Sequence, residues 1–233
     1  MIKPNMDEGI RNANLGQSIQ TYMEGGTWKK QRGICILPAG RSIPTRVALA
    51  WRNLIVPPNQ PWVFMAVEGE EVGVAYNRAI EGVLDHPDLK DFEYILTVEH
   101  DNLPPNDGLL KLIKRMEENP HLSCIGGLYW TKGECGVPQI WGDTNDPVVN
   151  YRPQMPVPGQ LVECCGTGMG FNLFRLSMFK EVEKPWFVTK AGAEGVGTQD
   201  LHFWSNARKK GFRCAIDCGC LVGHLDPQTG LVW

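Results

Sequence analysis

No stretch of this chain reaches the roughly 18 consecutive apolar residues that a membrane-spanning helix needs. Its opening residues, MIKPNMDEGIRNANLGQ, mix both signs of charge and hold no apolar core of the kind a secretory signal requires. The expectation is a soluble, cytoplasmic chain with no stable membrane insertion. No Cys-x-x-Cys pair occurs among the eight cysteines, Cys35, Cys124, Cys135, Cys164, Cys165, Cys214, Cys218 and Cys220. Free thiols are therefore expected, rather than a zinc site or a disulfide framework. An excess of positive charge is also missing: 23 Lys and Arg face 26 Asp and Glu, for a formal net charge of -3. A protein that holds nucleic acid mainly through phosphates is usually basic, so the balance disfavours a dedicated nucleic-acid binder and leaves brief encounters open. No Gly-x-Gly-x-x-Gly follows the first apolar run, which argues against a dinucleotide-binding turn. Internal repeats and low-complexity segments are absent as well.

What is present is ordinary globular composition, with 42% hydrophobic and 21% charged residues over 233 positions. That length suits one α/β domain with a sizeable core. Residues 1–30 show no clear period and read as an N-terminal arm or peripheral element; the domain itself is expected over 31–233. Gly33-Ile34-Cys35-Ile36-Leu37, ended by Pro38, reads as a buried first strand. Ser42 can cap a helix that Pro44 opens, with Val47, Trp51, Leu54 and Ile55 on one face. A second strand covers 62–67. The clearest helix follows, with Val72, Ala75, Tyr76, Ala79, Ile80 and Val83 at helical spacing. Tyr94 to Val98 is a third buried strand, Leu109, Leu112, Ile113 and Met116 mark another helix, and Cys124 to Tyr129 a fourth strand. Such alternation predicts a mostly parallel sheet with helices on both faces, and ligands at the carboxyl ends of its strands.

From 131 to 160 the pattern breaks. Pro138, Pro147, Pro153, Pro156 and Pro158 fall in a stretch of little periodicity, which predicts a functional or mobile loop. Order returns with a Gly-rich strand region from Gly166 to Leu173 and a short helix near Met178. A loop with Gly192, Gly195 and Gly197 leads to a helix from Asp200 to Lys210 closed by Gly211, and a strand from Arg213 to Val222 ends at Gly223-His224. On that last strand Cys214, Cys218 and Cys220 share parity with Ile216 and Val222, so all five are expected to face the same way.

Chemistry concentrates where the third strand ends. Glu99-His100-Asp101 raises two carboxylates, two residues apart, on one side of the strand's carboxyl end. Their oxygens suit a hard cation such as Mg²⁺ or Mn²⁺, which in turn bridges diphosphate oxygens. By itself the triplet is weak, since a solvated loop explains most such triplets. His224, taken alone, reads as a surface residue. Asp200 reads as a helix N-cap, and Arg78, beside Asn77 on the amphipathic helix, as a solvated charge.

Their order along the chain is more specific. Ala75-Tyr76-Asn77-Arg78, then Ile95-Leu96-Thr97-Val98-Glu99-His100-Asp101-Asn102-Leu103-Pro104-Pro105, then Gly166-Thr167-Gly168-Met169-Gly170, then Thr198-Gln199-Asp200 and finally Val222-Gly223-His224 together resemble the motifs of GT-A-fold glycosyltransferases, above all the large family-2-like group. The resemblance covers about residues 33–225 and implies a single-domain, Rossmann-like α/β fold. It implies that Asp101 is the metal-binding acid of a DxD-type motif, with Glu99 as the first, one-methylene-longer acid reaching toward ribose or a metal-bound water. It implies that Pro38, Ala39 and Arg41 hold base and ribose, that Asn77 and Arg78 look onto the nucleotide, that the Gly-x-Gly strand lies on the acceptor side, that His224 completes the metal site and that Asp200 is the catalytic base. Gln199 stands where the family usually has Glu.

The implied activity is transfer of a sugar from a nucleoside-diphosphate sugar, with uridine diphosphate the expected carrier, supported by Mn²⁺ or Mg²⁺. A carboxylate would take the proton of the acceptor hydroxyl as it attacks the anomeric carbon. Inversion is favoured over retention. The acceptor stays open among a glycan, a protein, a lipid and a modified nucleobase, and the oligomeric state is open too. Trp130, Trp141 and Trp186 could stack on sugars or bases, with packing the plainer reading for each. Two other readings remain: a sugar-nucleotide nucleotidyltransferase, for which Leu37-Pro38-Ala39-Gly40-Arg41 holds too little glycine to wrap a triphosphate, and a nucleotide-sugar-binding module without catalysis.

Overall fold

The computed structural model describes residues 30–58, 60–192 and 195–233. Its first half follows the expected alternation: β1 (Gly33–Ala39), α1 (Thr45–Arg52), β2 (Trp62–Glu68), α2 (Val72–Asp85), β3 (Tyr94–Val98), the short β4 (Asn102–Leu103), α3 (Gly108–Glu118) and β5 (Cys124–Leu128). The second half holds β6 (Ile140–Asp143), β7 (Leu161–Thr167), β8 (Phe171–Arg175), a 3-10 turn (Leu176–Lys180), the pair β9 (Lys190–Gly192) and β10 (Gly195–Gly197), α4 (Gln199–Lys209), β11 (Cys214–Leu221) and β12 (Gly223–His224).

Eight strands form one sheet in the order β2-β1-β3-β8-β5-β11-β7-β6. β1 pairs in parallel with β2 and β3, and β5 with β11, while β7 and β8 run antiparallel to all their neighbours. The sheet is thus mixed, with every strand but β7 and β8 pointing one way. Alternation along β1 and β3 sends side chains to two cores. Ile34, Ile36 and Ile95 pack with Tyr76, Ala79, Ile80 and Val83 of α2 and with Phe203, Trp204 and Ala207 of α4. Cys35, Leu37, Leu96 and Val98 pack on the other face with Val47 and Trp51 of α1 and with Leu109, Leu112, Ile113 and Met116 of α3. Helices therefore cover both faces, as the α/β pattern predicts.

Several local expectations are corrected. Pro44, not Ser42, is the N-cap of α1, and that helix ends at Arg52, so Leu54 and Ile55 lie beyond it. The Pro-rich stretch 131–160 carries strand β6, held on β7, and isolated bridges from Trp130 to Pro138 and from Trp141 to Pro153. Proline lacks a donor but keeps its carbonyl, so it is tolerated at such irregular edges. Residues 189–198, read as a loop, contain the antiparallel pair of β9 and β10; residues 193 and 194 lie outside the described residues. So does the N-terminal arm expected over 1–30, except for Lys30.

The shared parity of β11 fails for a physical reason. Its register against β5 shifts between Asp217 and Leu221. Cys214, Ile216 and Cys218 enter the α2/α4 core, whereas Cys220 and Val222 enter the α1/α3 core. An irregularity of this kind moves the residues after it to the opposite face. All eight cysteines are free and all but Cys135 are buried, in line with their expected role as small core residues.

Candidate active site

β1 and β3 lie side by side and in parallel, with Ile36 level with Thr97, so their carboxyl ends open onto a common edge. A cleft of about 370 Å³ sits there, lined by Pro38, Ala39, Gly40, Glu70, Val72, Glu99, His100, Asp101 and Gln199. It is the place that α/β topology reserves for ligands. Pro38, Ala39, Glu99 and Asp101, all named as candidates from sequence, meet in its wall.

Glu99 is held from behind. Its backbone N–H donates to the carbonyl of Gly170 at 3.1 Å, while the Gly170 N–H donates to the Tyr129 hydroxyl at 2.9 Å. A Cβ on Gly170 would come within 2.6 Å of both Asn102 and Tyr129, which is why the tight turn between β7 and β8 needs glycine here. The Gly-rich stretch, expected on the acceptor side, thus buttresses the acidic triplet. Burial pushes the Glu99 carboxyl up to about 8, and the charges of Asp101 and Asp200 add to the rise against a smaller pull from Lys132. The buried Tyr76 hydroxyl, which has no hydrogen bond of normal geometry, also faces it.

Asp101, two residues on, is driven the other way. Burial alone would raise its carboxyl, but hydrogen bonds and charge from His224 and Lys132 outweigh that and bring it down to about 2. Asp101 Oδ2 lies 2.5 Å from Lys132 Nζ and 3.4 Å from His224 Nε2. The pairing of β12 with β4 sets His224 level with Asn102, and the backbone N–H of Leu225 donates to the Asp101 carbonyl at 2.7 Å. His224 Nδ1 is 2.6 Å from the carbonyl of Trp130, which can only accept, so Nδ1 carries a hydrogen and donates it. With the ring charged, Nε2 donates to Asp101 and exerts the pull just described; with the ring neutral, Nε2 carries the lone pair that a cation would take. A metal-ligating histidine is commonly oriented in this way.

A carboxylate oxygen and an imidazole nitrogen side by side suit a divalent cation that takes further ligands from phosphate oxygens and water, as Mg²⁺ and Mn²⁺ do. Among the described residues no group of three or more His, Cys, Asp or Glu is arranged to hold a metal by itself. Asp101 and His224 could hold such a cation only with its remaining ligands drawn from elsewhere.

Asp200 sits in the first turn of α4, behind the N-cap Thr198, and its Oδ1 accepts from the Leu201 N–H at 2.9 Å. It is not itself the cap. Burial raises its carboxyl above the ordinary range, outweighing hydrogen bonds from Thr198 and its own helical turn. Its neighbour Gln199 reaches the cleft wall.

The remaining candidates stand apart from that wall. Asn77 uses both ends of its amide on one partner, donating to the Phe187 carbonyl at 2.7 Å and accepting from the Phe187 N–H at 3.1 Å. Its evident work is to tie α2 to the segment before β9. Arg78 is exposed and pairs with Glu70, which does line the cleft. Arg41 is exposed, one residue beyond the lining at Gly40. Trp186 is buried in the core, Trp141 Nε1 donates to Gln139 at 2.8 Å, and Trp130 acts through its carbonyl, so packing is the better reading of all three. Lys132 and Glu70 were missed. Both lie in loops without a period, and the only sequence signal for either is its position just after a strand's carboxyl end.

No family model matches this chain, and no curated protein matches it. Among solved structures it is similar to A197 from STIV, with a TM-score of 0.60 and 16% identity over 84% of this chain and 87% of that one. It is also similar to the catalytic domain of Drosophila beta1,4galactosyltransferase 7, in a complex with xylobiose, with a TM-score of 0.48 and 13% identity over 85% of this chain and 72% of that one. The first likeness is one of fold alone, and the second is too loose to bear on activity. No helix among the described residues is long and apolar enough to cross a membrane.

Proposed function

We propose that this chain is a metal-dependent glycosyltransferase of the GT-A type that takes a sugar from a nucleoside-diphosphate sugar. One observation carries the reading: Asp101, at the carboxyl end of β3 and on the wall of the cleft, has its Oδ2 3.4 Å from Nε2 of a His224 whose ring is oriented by the Trp130 carbonyl. Asp101 and His224 would hold Mn²⁺ or Mg²⁺ together with the donor's diphosphate. Such a cation supplies neutralisation of the charge that develops on the departing nucleoside diphosphate. Pro38 and Ala39 form the apolar wall against which base and ribose would lie, with Arg41 at its rim. Glu99, neutral over much of the physiological range, can donate a hydrogen bond to ribose or phosphate oxygen.

Asp200 would take the proton of the acceptor hydroxyl as that oxygen attacks the anomeric carbon. A carboxylate of raised pKa is better matched to this task than an ordinary Asp. Displacement by a single attack inverts the anomeric centre. The acceptor class, glycan, protein, lipid or modified nucleobase, is left to a screen of labelled donors.

The test is calorimetry with uridine diphosphate and Mn²⁺, joined to an assay of donor hydrolysis. Binding that depends on Mn²⁺ with slow release of free sugar supports the reading. Binding without release points to a module that only holds the nucleotide sugar. Release of pyrophosphate from a nucleoside triphosphate and a sugar phosphate would replace the reading with a nucleotidyltransferase. Full turnover after exhaustive chelation would remove the metal from it.

A further inference from the structure

Lys132 belongs to none of the motifs, yet it pairs directly with an acid of the cleft wall, 2.5 Å from Nζ to Asp101 Oδ2. Its backbone is set by a closed turn at the end of β5. The Thr131 N–H donates to the Val137 carbonyl at 2.9 Å, the Val137 N–H to the Thr131 hydroxyl at 2.9 Å, and the Gly136 N–H to the Gly133 carbonyl at 2.9 Å. Trp130, just before it, bridges to Pro138. The lysine is therefore aimed from one side of the site onto an acid carried by the other. It remains half-buried, with a flexible stem that can redirect its ammonium.

The oxygen it holds is the one that faces Nε2 of His224 at 3.4 Å. A divalent cation bound by Asp101 and His224 would stand beside the Lys132 ammonium, and two positive charges so close repel each other. We propose that Lys132 is a counter-ion that keeps divalent cation off Asp101 until a diphosphate arrives, and then moves from the carboxylate to the phosphate oxygens. The proposal rests on the glycosyltransferase reading and names a positioning residue for its donor site.

Charge favours this exchange. The diphosphate of a nucleotide sugar carries two negative charges and Asp101 a third. A divalent cation and the Lys132 ammonium supply three positive ones. Before the donor binds, the ammonium and Asp101 neutralise each other; afterwards the larger set is neutral as well. Neither state leaves a half-buried charge without a partner, which would be costly. Cation and donor should consequently bind with positive coupling, each tightening the other.

The experiment is titration calorimetry on the full chain, with Mn²⁺ alone, uridine diphosphate in chelator, and both together. Wild type is compared with Lys132→Gln, which removes the charge, and Lys132→Arg, which keeps it; melting curves establish that each is folded. Lys132→Gln should bind Mn²⁺ alone about fivefold more tightly, since a partly exposed ion pair is lost as a competitor. It should bind uridine diphosphate in chelator roughly tenfold more weakly, since a charge-assisted contact is lost. Lys132→Arg should stay close to wild type in both. Unchanged or weaker Mn²⁺ binding by Lys132→Gln, or unchanged binding of uridine diphosphate, overturns the exchange while leaving the enzyme class standing, provided that wild type binds both probes. Wild type that binds neither brings down the functional reading and this inference with it.

Discussion

From Gly33 to Leu128 the chain lays down β1, β2, β3 and β5, all pointing one way, with helices between them. From Ile140 onward the sheet strands β7 and β8 run against their neighbours, and the largest aromatic cluster forms. Phe187 stacks on Phe203 at 4.8 Å between ring centres, Phe179 on Phe203 at 5.4 Å, and Phe174 on Trp204 at 6.0 Å. The two halves also supply the cleft differently. The first brings Pro38, Ala39, Glu99 and Asp101, each at or just past the carboxyl end of a strand. The second brings Gln199 to the wall itself and sets Asp200 at the start of α4 and His224 in a two-residue pairing beside Asp101, while Lys132 reaches Asp101 from the loop between the halves. Strand ends can present a ligand wall with little help, whereas charge balance at that wall depends on segments that only long-range contacts hold in place.

The largest effect expected from breaking the second half's contribution is chemical. Asp200→Asn should lower turnover by about 10²- to 10⁴-fold, the range for loss of a general base, with binding of nucleoside diphosphate and Mn²⁺ nearly intact. Loss of donor binding instead would reassign the residue. In the wild type the sign of the pH effect is set by burial. Because the Asp200 carboxyl is raised, its ionised fraction, and turnover with it, should fall on acidification at a pH above that of an ordinary Asp. A pH-rate profile reads this directly.

The aromatic cluster comes next. Phe203→Ala should destabilise the fold by about 3–5 kcal/mol, whereas Ile34→Val, in the buried first strand, should cost only about 0.5–1.5 kcal/mol. Denaturant unfolding of both variants ranks the two packings, and equal losses would deny the second half its special weight.

Asp101→Ala tests the wall itself. It should weaken Mn²⁺ binding in the presence of uridine diphosphate by about 100-fold, at or beyond what loss of a supporting partner does to a metal site. Calorimetry that finds the affinity unchanged would remove Asp101 from the cation.

The last effect concerns stability in chelator. Glu99 is raised to about 8 in the folded chain, so the stability it contributes is complete below its ordinary pKa and is lost as pH rises through about 8. The melting temperature should fall steadily between roughly pH 5 and 8, since a rise from the ordinary Glu value to about 8 corresponds to a few kcal/mol, on the order of 10 °C in a domain of this size. Glu99→Gln should flatten that slope, and a slope unchanged in the variant would assign it to other groups.

Local signals already identified the acid-bearing strand, and tertiary contacts then redefined its surroundings. Tyr94 to Val98 is apolar on every position but Thr97, and it is buried along its whole length as a central strand should be. The helical spacing from Val72 to Val83 matched α2 because each apolar residue on that face has its own place in the core. Asn77 and Arg78 lie on the same helix, and the periodicity carried no information about what they would meet. Phe187, 110 residues away, occupies Asn77. The parity of β11 looked equally regular, but it failed after Asp217 because pairing with β5 shifts there, and a shift belongs to two strands rather than one.

The sequence by itself determined the alternation of strands and helices up to Leu128, the closed C-terminus of α4 at Gly211 (φ 87°), and the presence of two acids at the end of a buried strand. These follow from the period of apolar residues and from backbone preferences, which act over a few positions. Only the tertiary structure decided that Glu99 and Asp101, two residues apart, are driven to opposite ends of the titration range, and that Lys132 and His224 meet on one oxygen of Asp101. Burial and charge at a point depend on every segment that reaches it, and here those segments come from β3, the turn after β5 and the pairing of β12 with β4, 31 and more residues apart along the chain.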